Sequence, residues 1–338
     1  MKATINDVAK QAGVSIKTVS RVMNNEPSVR QPTREKVMAV VNELNYQPNL
    51  AARNLAGTKA YTIAFIYDNP NAYYVIDMQN GILDACKKSG FELLIHPCSA
   101  KSSNLLETIT NMIKHSRIAG LILTPPFSEN PEFVKHLLAL DVDVVRIISG
   151  NEIPDNLAPC IMVNDFEASV SITQHLIDLG HKDIAFIAGE ADHKSTVERL
   201  KGYKKALSDN SIAINEQLIV QGTYSFESGV NGAKQLLSAQ DKPSAIFSCN
   251  DEIAAGALFA SRLMGVEIPG QLSIAGFENN PFSRQTWPTL TTADQPTLKI
   301  AENAANLLIS TSRKQATHNI ITQYTPQLVV RDSTSATN

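Results

Sequence analysis

The sequence predicts an α/β protein that begins with a small all-helical domain, and three observations support this fold class. Apolar residues recur at helical spacing through the first 58 residues, with Gly13 between two short helical segments. From Tyr61 onward, short β-prone runs alternate with amphipathic helical stretches, which is typical of parallel α/β sheets. The chain has 338 residues, 43% hydrophobic and 19% charged, as expected for a globular protein of more than one domain.

The first two helices are predicted from their caps and apolar faces. Thr4 can cap the first helix together with Asp7, and Gly13 permits the turn that follows. Ser15 is placed to cap the second helix. The apolar face of the first helix comprises Ile5, Val8, Ala9 and Ala12. On the second helix Val19, Val22 and Met23 face inward, and the residues left outward are Ile16, Lys17, Ser20 and Arg21.

A third helix and a short fourth segment complete the N-terminal region. The third helix is predicted from near Pro32 to Asn45, and its inward face comprises Val37, Val40, Val41 and Leu44. In the stretch 48–57, Asn49 can act as a cap and Gly57 as a stop. Helices shorter than about 12 residues are marginal in water. This stretch is therefore either a helix that orders when something packs against it or a plain linker.

Charge divides the chain into a basic N-terminal region and an acidic remainder. Residues 1–59 hold nine Lys and Arg against four Asp and Glu, a net charge of +5. The remaining residues hold 21 against 29, a net charge of −8. A basic module of this kind is typical of phosphate binding in nucleic acids.

Beyond residue 60, seven strands are predicted, with helices such as 76–89 and 168–179 in the gaps between them. The predicted strands are 62–67, 92–96, 120–123, 144–148, 184–188, 245–248 and 272–275. This is too much chain for one doubly wound sheet. Ligands of such sheets bind outside the carboxyl ends of the strands, so polar residues that follow the strands are candidate ligand contacts.

The stretch DVAKQAGVSIKTVSRVMNN, continued by TREKVMAVVNELNYQPNLAARNLAG, resembles the head and hinge of the LacI/GalR family of bacterial transcriptional regulators. The resemblance covers the whole chain. It implies a helix–turn–helix head at 1–47, a hinge helix at 48–59 and an effector-binding, dimerising core at 60–338. In the family this α/β core has two lobes, like periplasmic sugar-binding proteins. The lobes would be about 60–160 with 294–323 and about 164–290 with 326–331, joined by crossovers near 160–164, 290–293 and 323–325.

The same resemblance implies which residues contact DNA. Lys17 can donate to guanine O6 and N7, and Ile16 can pack on a thymine methyl group in the major groove. The other candidates in the head are Thr4, Ser15, Thr18, Ser20, Arg21 and Asn24, with Ser20 and Thr18 nearer the DNA backbone. In the hinge, Leu55 matches the leucine that wedges between base steps, and Arg53 matches a position that can read the minor groove.

Polar residues after the strands of the second lobe are candidate effector contacts. The family match of Arg199 donates a bidentate hydrogen bond to ligand hydroxyls or a carboxylate, although an arginine at a helix start is also commonly a surface charge. Asn250 is the expected ligand contact after strand 245–248, with Asp251 as a helix cap. Glu278 stands where the family usually has an aspartate, which puts the ligand size in doubt. His193 can reach the cleft beside Arg199.

Aromatic residues add a second set of candidate contacts. Tyr73, Tyr74 and Tyr224 match positions where related repressors stack a ring on the ligand, although each could equally be a packing residue. Stacking suits both sugars and purines. Asp68 lies in the same loop as the first two tyrosines, and Gln295 matches a further polar position of the cleft.

Arg146 and Ser149 are the last candidate effector contacts. Arg146 falls inside an otherwise apolar strand. Its side chain either reaches a carboxylate of the cleft or of a partner chain, or the strand register is wrong by one residue. Ser149 follows at the end of the same apolar run.

Motifs for catalysis, metals and cofactors do not emerge from the sequence. His175, His181 and His193 form no HExxH or nucleophile pair, and there is no Walker loop or GxGxxG. The cysteines lack a CxxC pair and are expected to be buried thiols: Cys86, Cys98, Cys160 and Cys249. No signal peptide or apolar run of roughly 20 residues is evident, so a cytoplasmic protein is expected. We therefore expect no enzyme, no metal and no cofactor.

The combined expectation is a ligand-responsive transcriptional repressor that binds a pseudo-palindromic operator as a homodimer. A sugar is the preferred effector because Arg199, Asn250 and Glu278 form a hydroxyl-binding set. A purine or nucleoside effector is the alternative. A sugar-binding transport protein is disfavoured by the DNA-reading head and the missing signal peptide. The tail RDSTSATN lacks leucine heptads, which favours a dimer over a tetramer.

Overall fold

The computed structural model describes residues 3–23, 28–46, 60–150, 155–312 and 321–337. They fall into two compact units, Met1–Tyr61 and Thr62–Asn338. Asn24, Arg53, Leu55 and the predicted hinge helix at 48–59 lie outside the described residues.

The first unit contains the helices α1 (Ile5–Ala12), α2 (Ile16–Met23) and α3 (Gln31–Glu43). The predicted capping box is confirmed, because Asp7 N donates to Thr4 Oγ1 and Thr4 N donates to Asp7 Oδ2. Gly13 adopts φ 62°, the left-handed conformation that ends α1. The helices enclose a small core that comprises Val8, Ala9, Ala12, Val19, Val22, Val37, Val40 and Val41. Arg34 Nη1 also donates to Val22 O, 3.4 Å away, which fixes α3 to the end of α2.

The second unit alternates strands and helices. In chain order its strands are β1 (Thr62–Tyr67), β2 (Glu92–Pro97), β3 (Ile118–Leu123), β4 (Asp143–Ser149), β5 (Cys160–Val163), β6 (Ile184–Ile187), β7 (Ile219–Val220), β8 (Ala245–Ser248), β9 (Ser273–Ala275), β10 (Thr292–Asp294), β11 (Ile321–Tyr324) and β12 (Gln327–Val329). Its α-helices are α4 (Ala72–Ser89), α5 (Leu105–Ser116), α6 (Pro131–Leu138), α7 (Asp165–Asp178), α8 (Lys194–Asp209), α9 (Phe226–Ser238), α10 (Asp251–Leu263), α11 (Pro281–Gln285) and α12 (Thr297–Ser312).

These strands form two parallel sheets and a ribbon. The six-stranded sheet has the order β11-β5-β4-β3-β1-β2, and we call it and helices α4, α5, α6 and α12 the first lobe. The four-stranded sheet has the order β7-β6-β8-β9, and we call it, helices α7 to α11 and the antiparallel ribbon β10–β12 the second lobe. On α4, a Cβ on Gly81 would lie 2.2 Å from Leu298 O, so the missing side chain allows close packing of α4 on α12.

The seven predicted strands are all present, with ends that differ by no more than two residues. Three segments predicted as crossovers contribute strands: β5, β10 and β11. The chain leaves β5 through Asn164, which caps the first helix of the second lobe. Strands β7 and β12 were not predicted because runs of two and three residues carry too little periodicity. Helices α4 and α7 begin earlier than predicted because Asn71 and Asn164 cap them.

The cysteines in the described residues are free thiols: Cys86, Cys160 and Cys249 are buried, whereas Cys98 is partly exposed. Within the described ranges, no three His, Cys, Asp or Glu side chains are arranged to hold a metal ion. A search of the same ranges finds no helix with the length and apolar character needed to cross a membrane.

Candidate functional site

The second unit contains a cleft where the carboxyl ends of strands from both sheets meet. The empty space inside it, with open solvent at its mouth included, is about 510 Å³. The side chains that line it are Asn69, Asn71, Tyr74, Pro125, Ile147, Ile148, Ser149, Val163, Asp165, His193, Ser195, Arg199, Tyr224, Glu278 and Gln295. Seven of the eleven predicted effector residues belong to this set. This convergence follows from the parallel topology, which brings strand ends from distant parts of the sequence to one edge.

Arg199 is held by groups of the protein itself. Its Nε donates to Asp165 Oδ1 at 2.8 Å, its Nη2 forms an ion pair with the same oxygen at 2.7 Å, and its Nη1 donates to Cys249 O at 2.6 Å. The guanidinium carbon also lies 3.7 Å from the ring centroid of Phe277. Arg199 and Asp165 are both at least 95% buried. Asp165 therefore balances the charge of Arg199 inside the cleft.

Glu278 is the second acidic side chain of the cleft. It adopts φ 99°, in the left-handed region that L-residues rarely occupy, which directs the chain sharply after β9. Its Oε2 accepts from Asn71 Nδ2 at 2.6 Å and from Asn280 Nδ2 at 3.2 Å. Its Oε1 is 3.9 Å from Arg199 Nη1, beyond hydrogen-bonding distance. Burial raises the pKa of Glu278 to about 7.

Asn71 links the two lobes because it performs two tasks at once. Its Oδ1 accepts from Tyr73 N and Tyr74 N, which caps α4 of the first lobe. Its Nδ2 donates to Glu278 of the second lobe. The amide is 98% buried, so neither group can exchange its partner for solvent without a rearrangement of the cleft.

A second link between the lobes runs through Ser149 at the end of β4. Ser149 Oγ donates to Asp165 Oδ2 at 2.5 Å, and Ser149 N donates to Glu129 Oε1 at 2.8 Å. Burial raises the pKa of Glu129 to about 7. Burial therefore opposes the ionisation of Glu278 in the lining and of Glu129, which is bonded to the lining residue Ser149.

The other predicted contacts that line the cleft differ in whether their polar atoms already have partners within the protein. Tyr224 is fixed, because its hydroxyl is 2.7 Å from Thr196 Oγ1 and 2.9 Å from Ser195 Oγ. His193 packs beside it with a ring separation of 5.6 Å, and burial lowers the pKa of this histidine. The Oε1 atom of Gln295 is buried and has no hydrogen-bond partner.

Asn250 does not belong to the lining of the cleft, and its contact with a ligand stays a prediction. Its Oδ1 accepts from Ile253 N at 2.9 Å and caps α10, while its Nδ2 donates to Tyr224 O at 3.3 Å. Both ends of the amide are therefore occupied by the backbone. The predicted cap, Asp251, is instead buried and accepts from Thr292 Oγ1 and Asn280 N. The cap falls one residue earlier than predicted because it is set by backbone conformation, which the sequence leaves open by one position.

Arg146, Asp68 and Tyr73 are also absent from the cleft lining. Arg146 reaches a carboxylate of its own chain, because its Nη2 and Nη1 donate to Asp155 at 2.7 and 3.2 Å. Asp68 accepts from Ala100 N at 2.8 Å. Tyr73 meets the ring of Phe282 edge-on, with centroids 5.6 Å apart. Each of the three side chains thus has a partner within the protein: Asp155, Ala100 and Phe282, respectively.

Sequence reasoning missed eight residues of the lining: Asn69, Asn71, Pro125, Ile147, Ile148, Val163, Asp165 and Ser195. Asp165 and Asn71 carried a usable signal, because each is a polar residue at a helix start just after a buried strand. The apolar members of the set carried none. Ile147 and Ile148 look like any other residue of a buried strand.

The first unit presents the predicted DNA-contacting face on α2. Ile16, Lys17 and Arg21 are exposed, with Ile16 49% accessible although it is apolar. The Ser15 hydroxyl accepts from Thr18 N at 3.1 Å and lies 2.9 Å from the Thr18 hydroxyl, so both order the start of α2. Ser20 is half-buried, and the hydroxyl of Thr4 donates to Asp7. The exposed set suits the major groove, where donors and an apolar surface read base edges.

Comparisons with known proteins bear on both units. A family described as bacterial regulatory proteins, lacI family, matches residues 4–49, and a periplasmic binding protein-like domain matches residues 173–334. Catabolite control protein A of Priestia megaterium is 32% identical over 335 residues, which cover 99% of this chain and 100% of that protein. The HTH-type transcriptional repressor PurR of Vibrio vulnificus (strain CMCP6) is 30% identical over 336 residues, with 99% and 100% covered.

Two solved structures share the fold over nearly the whole chain. The lac repressor dimer bound to operator and the anti-inducer ONPF has a TM-score of 0.77 and 27% identity, and the match covers 99% of this chain and 100% of that one. A complex of the transcriptional regulator CelR with cellobiose has a TM-score of 0.74 and 26% identity, with 98% and 99% covered.

Proposed function

Because the chain belongs to the LacI family of bacterial regulatory proteins, we propose that it is a repressor whose affinity for operator DNA depends on a small molecule in the cleft. The single observation that carries the proposal is the joint presence of an exposed recognition face on α2 and a cleft bridged by hydrogen bonds between two lobes. The first feature supports DNA binding, and the second supports control by a ligand.

Recognition of DNA is assigned to the start of α2. Lys17 and Ile16 occupy positions suited to base edges, and Arg21 and Ser20 follow on the same helix. A homodimer would place two such helices on a pseudo-palindromic site, as in the related lac repressor dimer bound to operator. Arg53 and Leu55 remain proposed minor-groove contacts of the hinge, and Asn24 a proposed contact of the head.

A sugar is the proposed effector. The cleft offers the open Glu278 Oε1, the unpartnered Gln295 Oε1 and the aromatic faces of Tyr74 and Tyr224. Carboxylate and amide oxygens accept from sugar hydroxyls, and aromatic rings pack on the C–H faces of sugars. The related CelR was solved with cellobiose, which supports the same ligand class for this chain.

Control of DNA affinity is proposed to act through the two links between the lobes. A ligand that hydrogen-bonds to Glu278 or Asp165 competes with or reinforces the bonds from Asn71 and Ser149. It therefore binds the open and closed arrangements of the lobes with different affinities, and only such a difference can shift the equilibrium. The relatives are transcriptional regulators, and we propose no catalytic activity and a cytoplasmic location.

A purine or nucleoside is the second candidate effector. Tyr74 and Tyr224 both line the cleft, and a purine ring can stack on either aromatic face.

A thermal-shift screen of the full chain tests the effector class. The ligands are mono- and disaccharides, free purines and nucleosides. A sugar that binds the folded protein raises its melting temperature in a dose-dependent way. The Gln295→Leu variant, which removes an unpartnered acceptor, should show a smaller rise. The same sugar must then change the affinity for operator DNA in a binding assay. A rise in melting temperature with purines or nucleosides alone would contradict the sugar assignment. It would not contradict the proposal that the protein is a ligand-responsive regulator.

A further inference from the structure

The positive charge of Arg199 in the cleft is already balanced by an acidic side chain of the protein. Among the described residues that line the cleft, Arg199 is the one Lys or Arg side chain, whereas Asp165 and Glu278 are both acidic. Arg199 donates from Nε to Asp165 and from Nη1 to Cys249 O, and its Nη2 forms an ion pair with Asp165. Burial lowers the pKa of His193, so this side chain supplies little positive charge at neutral pH. A ligand anion would thus meet no cation that is free to balance it.

A lysine lies just outside the lining and does not change this balance. A Cβ on Gly150 would lie 3.3 Å from Lys194 Nζ, and the charge of Lys194 favours the ionised form of Glu129. Lys194 is therefore attracted to a carboxylate, whereas Arg199 forms an ion pair with Asp165 at 2.7 Å. An anionic ligand that displaced the Arg199–Asp165 pair would leave a buried carboxylate unpaired.

Two open polar atoms of the cleft are acceptors. Both Asn71 and Asn280 donate to Glu278 Oε2, which leaves Oε1 without a hydrogen bond. Gln295 Oε1 also has no partner. The orientation of this amide is set by Thr297, whose hydroxyl donates to Gln295 O and so accepts from Gln295 Nε2. Buried acceptors of this kind require hydrogen-bond donors from a ligand or water.

We propose that the cleft takes an uncharged ligand that donates hydrogen bonds to Glu278 Oε1 and Gln295 Oε1, and that it rejects the phosphate ester of the same compound. This inference rests on the proposed function of the cleft as the effector site. A phosphate group has acceptor oxygens and negative charge, so it would face two carboxylates and an unpartnered amide oxygen. A free sugar has hydroxyl donors and no charge, and it satisfies the same atoms.

Calorimetric titration of the full chain tests the inference with matched pairs. The probes are glucose, cellobiose, ribose and inosine, each compared with its own monophosphate ester. In any pair with measurable binding, the free compound should bind at least about tenfold more tightly than its ester, because like charges in a low-dielectric site repel. An ester that binds as tightly as its parent compound would overturn the inference and leave the sensor intact. Absence of binding in every pair would contradict the cleft as an effector site for these classes, and the inference with it.

The Glu278→Gln variant tests whether this side chain sets the discrimination. Because Asn71 and Asn280 hold the oxygen on one side, the substituted amide would turn its nitrogen toward the cleft. The free compound should then bind more weakly and the ester more tightly, so that the ratio of their affinities narrows at least about tenfold. The matched control is Glu227→Gln, which removes one charge from an exposed position of α9. An unchanged ratio in Glu278→Gln would refute the role of Glu278.

Discussion

The amide of Asn71 donates from Nδ2 to Glu278 Oε2 at 2.6 Å and so joins a helix cap of the first lobe to the cleft wall of the second. The two residues are 207 positions apart in the chain. Because Glu278 has an open oxygen and a pKa of about 7, this bond connects the ionisation of the cleft to the contact between the lobes.

The Asn71→Asp variant distinguishes the role of Asn71 as the cap of α4 from its hydrogen bond to Glu278. Aspartate is as good an N-cap as asparagine, so α4 keeps its start. The new carboxylate faces Glu278, and both are protonated more easily at low pH. We expect the melting temperature to fall more at pH 8 than at pH 5.5. The control Asn130→Asp changes the cap of α6, where asparagine accepts from Glu132 N and Phe133 N in the same way. An equal loss at both pH values would show that Asn71 acts as a cap alone.

We expect the stability losses from substitutions of Arg199 and Asp165 to be strongly non-additive. The Arg199→Met substitution leaves the buried Asp165 carboxylate without its cation and should cost about 3–5 kcal/mol of stability. The double variant Arg199→Met with Asp165→Asn removes both charges and should recover a large part of that loss. Chemical denaturation of the single and double variants measures the coupling. Additive losses would mean that the two charges are screened by solvent.

Stability should depend on pH through Glu278 and Glu129. Burial raises the pKa of each to about 7 from the ordinary glutamate value of 4.5. The folded state therefore binds more protons than the unfolded state between these two values, and both groups make stability fall as pH rises from about 4.5 to about 7. The Glu278→Gln variant should flatten this fall by up to about 1.4 kcal/mol per pH unit. Denaturation midpoints across this range, with Glu227→Gln as the control, test the effect, and parallel curves would contradict it.

The Asn250→Asp variant tests whether Asn250 acts as the cap of α10 or as a contact of the effector. Aspartate retains the cap of α10 and loses only the bond from Nδ2 to Tyr224 O. Effector affinity should change by less than about threefold, whereas Asn250→Ala should cost about 1 kcal/mol of stability through the lost cap. Abolished binding in Asn250→Asp, with a normal melting temperature, would restore Asn250 as a direct ligand contact.

Lys17 is predicted to read a base. The Lys17→Ala variant should lose about 1–3 kcal/mol at the matching guanine and become less selective at that position. Binding to a series of operator variants measures this loss. The exposed Lys10, in the last turn of α1, provides the control Lys10→Ala. A uniform loss over all operator variants would make Lys17 a phosphate contact.

Local features of the sequence predict the elements of this protein well. Gly13, the Thr4–Asp7 capping box and the Val19 and Val22 face define the head helices, because caps and periodicity act over a few residues. The strands of the core also follow from local apolar runs. The family resemblance adds the positions of Arg199, Tyr224 and Glu278, all of which line the cleft.

Tertiary structure alone decides which polar atoms remain open to a ligand. Asn250 is hydrogen-bonded to the backbone, Arg146 is paired with Asp155 and Arg199 with Asp165, whereas Glu278 Oε1 and Gln295 Oε1 have no hydrogen-bond partner. A polar group is available to a ligand only if its hydrogen bonds are not already satisfied within the protein. Those bonds join residues far apart in sequence, so their partners are fixed by the packing of the lobes and not by any local pattern.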